Sequence, residues 1–269
     1  MTIQDIMNAW QPEAVNVQVN VDLWNGKAAH FGELKLPTPQ NSIGMRLIQK
    51  EKMVKPGSSV LDVGCGGGRF SFALEQMGAN VLGVDFSPNM IEECHRNKAE
   101  RNAYAQFQVC NWHTVDVAAN GWENGFDLVL AHMTPAIASA EAFLKLSQAS
   151  RDWCIMVKPT RRNSVVLDGL YTYLGMEPEG KNMNKTLSYA LDLLHLKGIN
   201  AKLDYEKQER KYEYPLEDVI WEYTARIESR HALTDQDKQK IRRYLSDAAE
   251  KEMVKETTNS LIAAVYWQV

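Results

Sequence analysis

The stretch Val60-Leu61-Asp62-Val63-Gly64-Cys65-Gly66-Gly67-Gly68-Arg69-Phe70 holds the residue types and spacing best suited to binding chemistry. A short apolar, β-branched run enters three alternate glycines, Gly64, Gly66 and Gly68, and a helix-like pattern leaves them. Glycine permits a tight turn and close approach of the backbone to a ligand. A helix N-terminus adds free N–H groups and the positive end of the helix dipole, so such a loop could cradle a phosphate or a carboxylate. The nicotinamide fingerprint GxGxxG would need glycine at position 69, where arginine stands, and no GxxxxGK[ST] loop is present. Asp62 lies two positions before the first glycine. A second acid, Asp85, ends the next strand-like run, 21 positions after Gly64, where a doubly wound fold places the carboxylate that accepts from ribose hydroxyls.

Other reactive types are fewer. His132 ends a later apolar run and is the one candidate general base, since histidine titrates near neutrality and open α/β folds set their sites at strand carboxyl ends; the bland alternative is a packed, hydrogen-bonded histidine. His30, His95, His113, His195 and His231 have no ligand spacing, and no metal is expected. Cys65, Cys94, Cys110 and Cys154 form no CxxC and suggest reduced thiols, with Cys65 a small filler of the loop. Lys158, Arg161 and Arg162 could meet an anionic substrate or simply face solvent. Tyr171, Tyr173 and Tyr189 could line a substrate pocket or serve as packing.

The elements that must position these groups alternate. Strand-like runs at 58–64, 80–85, 106–110, 126–132 and 152–157 are separated by helix-like segments. Ser87-Pro88 reads as an N-cap with proline at the first helical position, and Thr134-Pro135 reads as another helix opening. Continuous apolar strands between helices imply a buried, mostly parallel sheet. Short helices are expected around 3–10 and 43–54, a polar loop over 158–185, a helix at 186–197, a long strand at 201–214, a helical face at 216–229, a charged helix at 234–255 and a buried last strand, SLIAAVYWQV.

The runs VLDVGCGGGRF and VLGVDFSPNMIE together resemble the first two motifs of the class I S-adenosylmethionine-dependent methyltransferases. The resemblance is specific over about 60–135 and extends loosely to 152–158 and the final strand. It implies an α/β fold with a doubly wound, seven-stranded, mostly parallel sheet, its last strand antiparallel, and helical cap insertions. It implies S-adenosylmethionine as cofactor and S-adenosylhomocysteine as product. By position, Gly64, Gly66 and Gly68 would surround the methionine moiety and Asp62 would orient the loop or the amino group. Asp85 would hold the ribose and Phe86 would pack near the adenine. Asn111 and Trp112 would meet the adenine by hydrogen bond and stacking. His132-Met133-Thr134, at the end of the fourth strand-like run, would sit near the transferred methyl. WNGKAAHF resembles a segment that small-molecule members place over the cofactor, making Trp24 and Phe31 lid residues.

On this basis residues 1–45 are expected to be a lid, 46–158 and 199–269 the core with a helical insertion at 215–256, and 159–198 a substrate cap. The chain has 269 residues, 45% apolar and 24% charged, with 30 basic against 34 acidic side chains, a net of −4. That balance lacks the basic surplus of a phosphate-gripping surface, so a nucleic-acid partner is not expected. No apolar run approaches the ~18 residues of a membrane span, and the first residues do not read as a secretory signal, so a cytoplasmic protein with a small-molecule substrate is expected. An RNA, DNA or protein methyltransferase and a non-catalytic cofactor-binding protein are the alternatives.

Overall fold

Strand β1 (Ser59–Val63) is apolar at nearly every position because both of its faces are covered. It lies near the middle of a seven-stranded sheet in a computed structural model that describes residues 1–12, 34–178 and 184–269. The chain-order elements are α1 (Ile3–Ala9), α2 (Ile43–Lys50), β1, α3 (Arg69–Gln76), β2 (Asn80–Asp85), α4 (Pro88–Arg101), β3 (Gln106–Val109) and β4 (Phe126–His132). Then follow α5 (Ala140–Ala149), β5 (Ser150–Ser164), α6 (Val165–Tyr173), α7 (Asn184–Leu196), β6 (Lys202–Pro215), α8 (Leu216–Glu228), α9 (Asp235–Ala248) and β7 (Met253–Gln268). The sheet order is β3-β2-β1-β4-β5-β7-β6. Strands β1 to β5 pair in parallel, and β7 runs antiparallel between β5 and β6, as the family resemblance implies.

The two-residue period of the central strands divides the core. Leu128 and Leu130 of β4, Ile155 and Val157 of β5, and Ile262 and Ala264 of β7 face α2, α3 and α4. Val129, Ala131, Cys154, Met156, Ala263 and Val265 face α1, α5 and α7. Each such aliphatic side chain removed from water contributes on the order of 1.5–3 kcal/mol. A third cluster joins Leu170 and Tyr171 of α6, Val219, Ile220 and Ile227 of α8, and Ile241 and Leu245 of α9 with Val254 of β7. The outer strand β6 carries Lys202, Lys207, Glu209, Lys211 and Glu213, charges that discourage pairing with another chain.

Several boundaries differ from the sequence reading. Residues 158–173 are not a loop: β5 continues to Ser164 and α6 follows directly. Pro159 is accommodated because the β5–β7 register shifts between Pro159 and Arg161, a bulge where a missing N–H is tolerated. Helix α5 begins at Ala140, not at Pro135. The Thr134 hydroxyl accepts from Ala136 N–H at 3.1 Å and forms a local turn, and the Ser139 hydroxyl caps the helix through Ala142 N–H, also at 3.1 Å. The charged helix stops at Ala248, and β7 starts at Met253. Within the expected lid, α1 is a docked core element. Ile6 is fully buried, and Trp10 packs on Phe143 and Tyr189 at ring separations of 5.5 and 6.0 Å. Trp24 and Phe31 lie outside the described residues.

Candidate functional site

The glycine loop leaves β1 and turns into α3 over the carboxyl end of β2. Gly64 and Cys65 both donate to the Val84 carbonyl, at 2.7 and 3.0 Å, which sews the loop to the neighbouring strand. Gly64 sits at φ +69°, and a Cβ there would collide with the Thr134 side chain. Gly66, at φ +53°, is different: a Cβ added to it would meet no atom of the described residues within 4 Å. The backbone there borders open space, which is the room a ligand needs. Gly68 begins α3 at φ +86° with no side-chain cap. From beneath, α4 supports the loop: Cys94 Sγ–H donates to the Gly66 carbonyl at 2.9 Å, and the Asn97 amide to the Gly67 carbonyl at 3.4 Å.

Two acids lie in this frame. Asp85 is buried; its Oδ2 accepts from Gly66 N–H and its Oδ1 from Ser87 N–H, each at 3.0 Å. Burial raises its pKa, while the N–H groups of Ser87, Gly66 and Phe86 oppose the shift. Each oxygen keeps acceptor capacity beyond these bonds. Phe86 beside it is half-buried. Asp62 is 2% exposed and accepts from the Ser71 hydroxyl of α3 at 2.7 Å. Burial pushes it up to about 7, which the Ser71 bond counters and the Asp85 charge reinforces. Asp62 therefore orients the helix that the loop feeds. The thiol of Cys65 is held well above its ordinary value by burial, then by Cys94 and the two acids. A thiol held protonated is a poor nucleophile.

The remaining expectations separate. Trp112 is 2% exposed, and its indole N–H donates to the Ala142 carbonyl at 2.9 Å, so its ring belongs to the core between sheet and α5. Asn111 is exposed, with its side-chain oxygen accepting from His113 N–H at 3.0 Å. His132 packs on Phe70, ring centroids 4.0 Å apart, beneath Gly44. Burial, then Arg69 and Arg210, drop its pKa to about 3. The near-neutral titration expected of it as a base is absent, and at physiological pH it is an uncharged wall. Tyr171 is fully buried among α6, α8 and α9, and exposed Tyr173 pairs with Tyr244 at 5.3 Å; neither lines the cavity described next. Among the described residues no cluster of three or more His, Cys, Asp or Glu could hold a metal ion.

That cavity, of about 160 Å³, opens beside the end of β4. Met133 lines it from a left-handed φ of +52°, a conformation a non-glycine residue adopts at a cost and one that concentrates at functional sites. Thr134, the next residue, is the one packed on Gly64, so adjacent residues join loop and cavity. The floor is one face of three strands. Arg162 pairs through Ser260 with Gln208, and Ser164 through Thr258 with Arg210; Glu256 faces Tyr212 one row on. Tyr214, Tyr223, Glu222 and Arg226 complete the lining. Glu256 is fully committed: it accepts from Val166 and Leu167 N–H at 3.2 and 3.1 Å and from the Tyr223 hydroxyl at 2.8 Å.

Of this set the sequence reading singled out only Met133 and Arg162. The pattern Gln208-x-Arg210-x-Tyr212-x-Tyr214 was its available signal, four polar or aromatic residues on one strand face.

Residues 54–167 match the family model described as a methyltransferase domain. This segment is therefore similar to a methyltransferase domain. It contains β1 to β5 with the glycine loop and both acids. An uncharacterized protein of Haemophilus influenzae is 26% identical over 194 residues, 69% of this chain and 66% of that protein. Ribosomal protein L11 methyltransferase of Burkholderia cenocepacia is 34% identical over 96 residues, 35% of this chain and 28% of that enzyme. The chain thus spans just under two thirds of the first relative and little over a quarter of the second. Among solved structures, the YcgJ protein of Bacillus subtilis superposes with a TM-score of 0.50 at 15% identity, covering 82% of this chain and 96% of that one, and shares the fold.

Proposed function

We propose that this protein is a methyltransferase that binds S-adenosylmethionine on the Gly64–Gly68 loop and Asp85 and methylates a small molecule held in the cavity beside Met133. When bound, that cofactor supplies an activated methyl: the C–S bond breaks toward sulfur as the acceptor atom forms the new bond, leaving S-adenosylhomocysteine and releasing any acceptor proton. The open space beside Gly66 and the remaining lone pairs of Asp85 support this fit. Phe86 remains the aromatic face available on the adenine side. The chain's part in catalysis is then positioning and exclusion of water. Uncharged His132 and Phe70 wall the reaction centre, and Thr134 holds loop and cavity together.

The observation that carries a small-molecule acceptor is the size of the cavity, covered by α6 and α8. About 160 Å³ admits a small polar molecule rather than a folded chain. The partial likeness to an enzyme named for ribosomal protein L11 favours a second reading, a protein acceptor. Calorimetry with S-adenosylmethionine, S-adenosylhomocysteine and NAD is the primary test. Binding of the two adenosyl ligands and not NAD is expected, and their failure to bind at millimolar concentration removes the proposal. Transfer of labelled methyl to a small-molecule extract, rather than to ribosomal protein, is the expected result for the acceptor.

A further inference from the structure

Arg162, two residues before the end of β5, is half-buried, with its Nε shielded from solvent and without a hydrogen-bond partner among the described residues. A buried, unmatched guanidinium donor is costly unless a ligand meets it. Strand alternation sends Arg161 to the opposite face, where it is exposed over an open depression lined by Leu187, Leu191 and Tyr205. Arg162 instead enters the small cavity. Arg210 stands one row along the same face, two strands away through the Ser164–Thr258 pairing, and Arg226 comes from α8 on the opposite side.

Three guanidiniums thus converge on about 160 Å³ with two carboxylates, Glu222 and Glu256. Glu256 is spent on the start of α6 and on Tyr223. Glu222 and Arg226 also have contacts within the protein. The arginines sense one another: burial, then Arg226, with a further contribution from Arg210, lowers the pKa of Arg162. Burial, with a contribution from Arg210, likewise lowers the pKa values of Arg69 and His132 beside the glycine loop. Like charges brought together beside tyrosines destabilise the empty cavity and favour an anion that offers several acceptor oxygens.

We infer that Arg162 and Arg210 form an oxyanion-binding subsite for the carboxylate or phosphate group of the methyl acceptor, with Arg226 closing it from α8. The role as acceptor site rests on the methyltransferase reading; the anion binding does not. Tyr212 and Tyr214, rings 5.4 Å apart and nearly parallel, form the aromatic side of the subsite. Their hydroxyls and Gln208 supply neutral donors. The anion would lie on the β5–β7–β6 face, and the rest of the acceptor would extend past Met133 toward the glycine loop.

The test is thermal unfolding of the full chain in sodium chloride, then in inorganic phosphate or sodium acetate at matched ionic strength. A rise of about 2–4 °C with one of the two anions, beyond chloride, is expected for millimolar binding. Phosphate acting alone identifies a phosphoryl acceptor, and acetate alone a carboxylate; either supports the subsite. Arg162→Gln and Arg210→Gln should each abolish the increment, and Arg161→Gln should keep it. Because Arg162 is partly buried and Arg210 lies exposed on the outer strand, the second variant carries the test where the first fails to fold. No rise beyond chloride, or an equal rise in Arg210→Gln, means an adventitious ion only and overturns the proposal. Calorimetry with S-adenosylhomocysteine on the same proteins separates the two readings. The Arg variants should bind it within about twofold of the unaltered chain, whereas no binding in any of them removes the methyltransferase reading and leaves the anion result standing.

Discussion

Asp85 Oδ2 accepts the N–H of Gly66 at 3.0 Å, so the acid at the end of β2 holds the middle of the loop that follows β1. One carboxylate thereby both shapes the loop and presents its remaining lone pairs beside the open space at Gly66. Replacing Asp85 with alanine removes the loop anchor and the acceptor together. Hydrogen bonds to a charged group are worth about 1.5–3 kcal/mol, so affinity for S-adenosylhomocysteine should fall roughly 10- to 100-fold. Asp85→Asn, which keeps one acceptor oxygen, should lose less. Calorimetry on folded protein checks both, and undiminished affinity in Asp85→Ala would remove the assignment.

Gly64 and Gly66 should respond differently to the same methyl group. Gly64→Ala forces a left-handed backbone on alanine and drives its Cβ into Thr134. A stability loss of about 2 kcal/mol or more is expected by chemical denaturation. Gly66→Ala carries only the backbone term, ~1 kcal/mol, because its Cβ meets nothing among the described residues. Its effect should appear chiefly as weaker adenosyl-ligand binding, since the methyl enters the ligand's space. Equal stability losses in the two variants would contradict the distinction.

The buried groups give stability an opposed pH dependence. Asp62 keeps its proton to about 7 in the folded chain against an ordinary 3.8. Its contribution is therefore complete below 3.8 and is lost as pH rises toward 7. His132 resists protonation down to about 3 against an ordinary 6.5. Its contribution is present above 6.5 and is lost as pH falls toward 3. Relative to the unaltered chain, Asp62→Asn should gain stability as pH is raised from 4 to 7, and His132→Gln should gain as pH is lowered from 6.5 to 4. Urea midpoints across that range measure both differences. Parallel curves for either variant would refute the corresponding burial effect.

Trp112 should prove a core residue. Trp112→Phe strands the Ala142 carbonyl and leaves a void, with an expected loss of about 1–3 kcal/mol. Affinity for S-adenosylhomocysteine should change less than twofold. A large drop in affinity at unchanged stability would return the ring to the adenine.

The sequence by itself determined the β1–loop–α3–β2 unit, because every signal there is local. Glycines at alternate positions, an acid at the strand end and Ser87-Pro88 as a cap act within a few residues of one another. It also determined the class of sheet, since continuous apolar runs such as Leu128–Ala131 are stable only when covered on both faces. Tertiary structure decided the rest. Trp112 and His132 stand where the motifs place them, yet burial turned one into core and stripped the other of its near-neutral titration. Whether Arg162 faces solvent or a cavity depended on β7 pairing with β5 and β6, which brings residues 162, 260 and 208 into one row across about a hundred residues of chain. Alternation in β6 placed Arg210 and Tyr212 on a common face, but only the helices α6 and α8 lying over that face made it the inside of a site. Local sequence fixes conformation through short-range sterics and capping; the environment that sets charge, burial and pocket shape is assembled from distant segments.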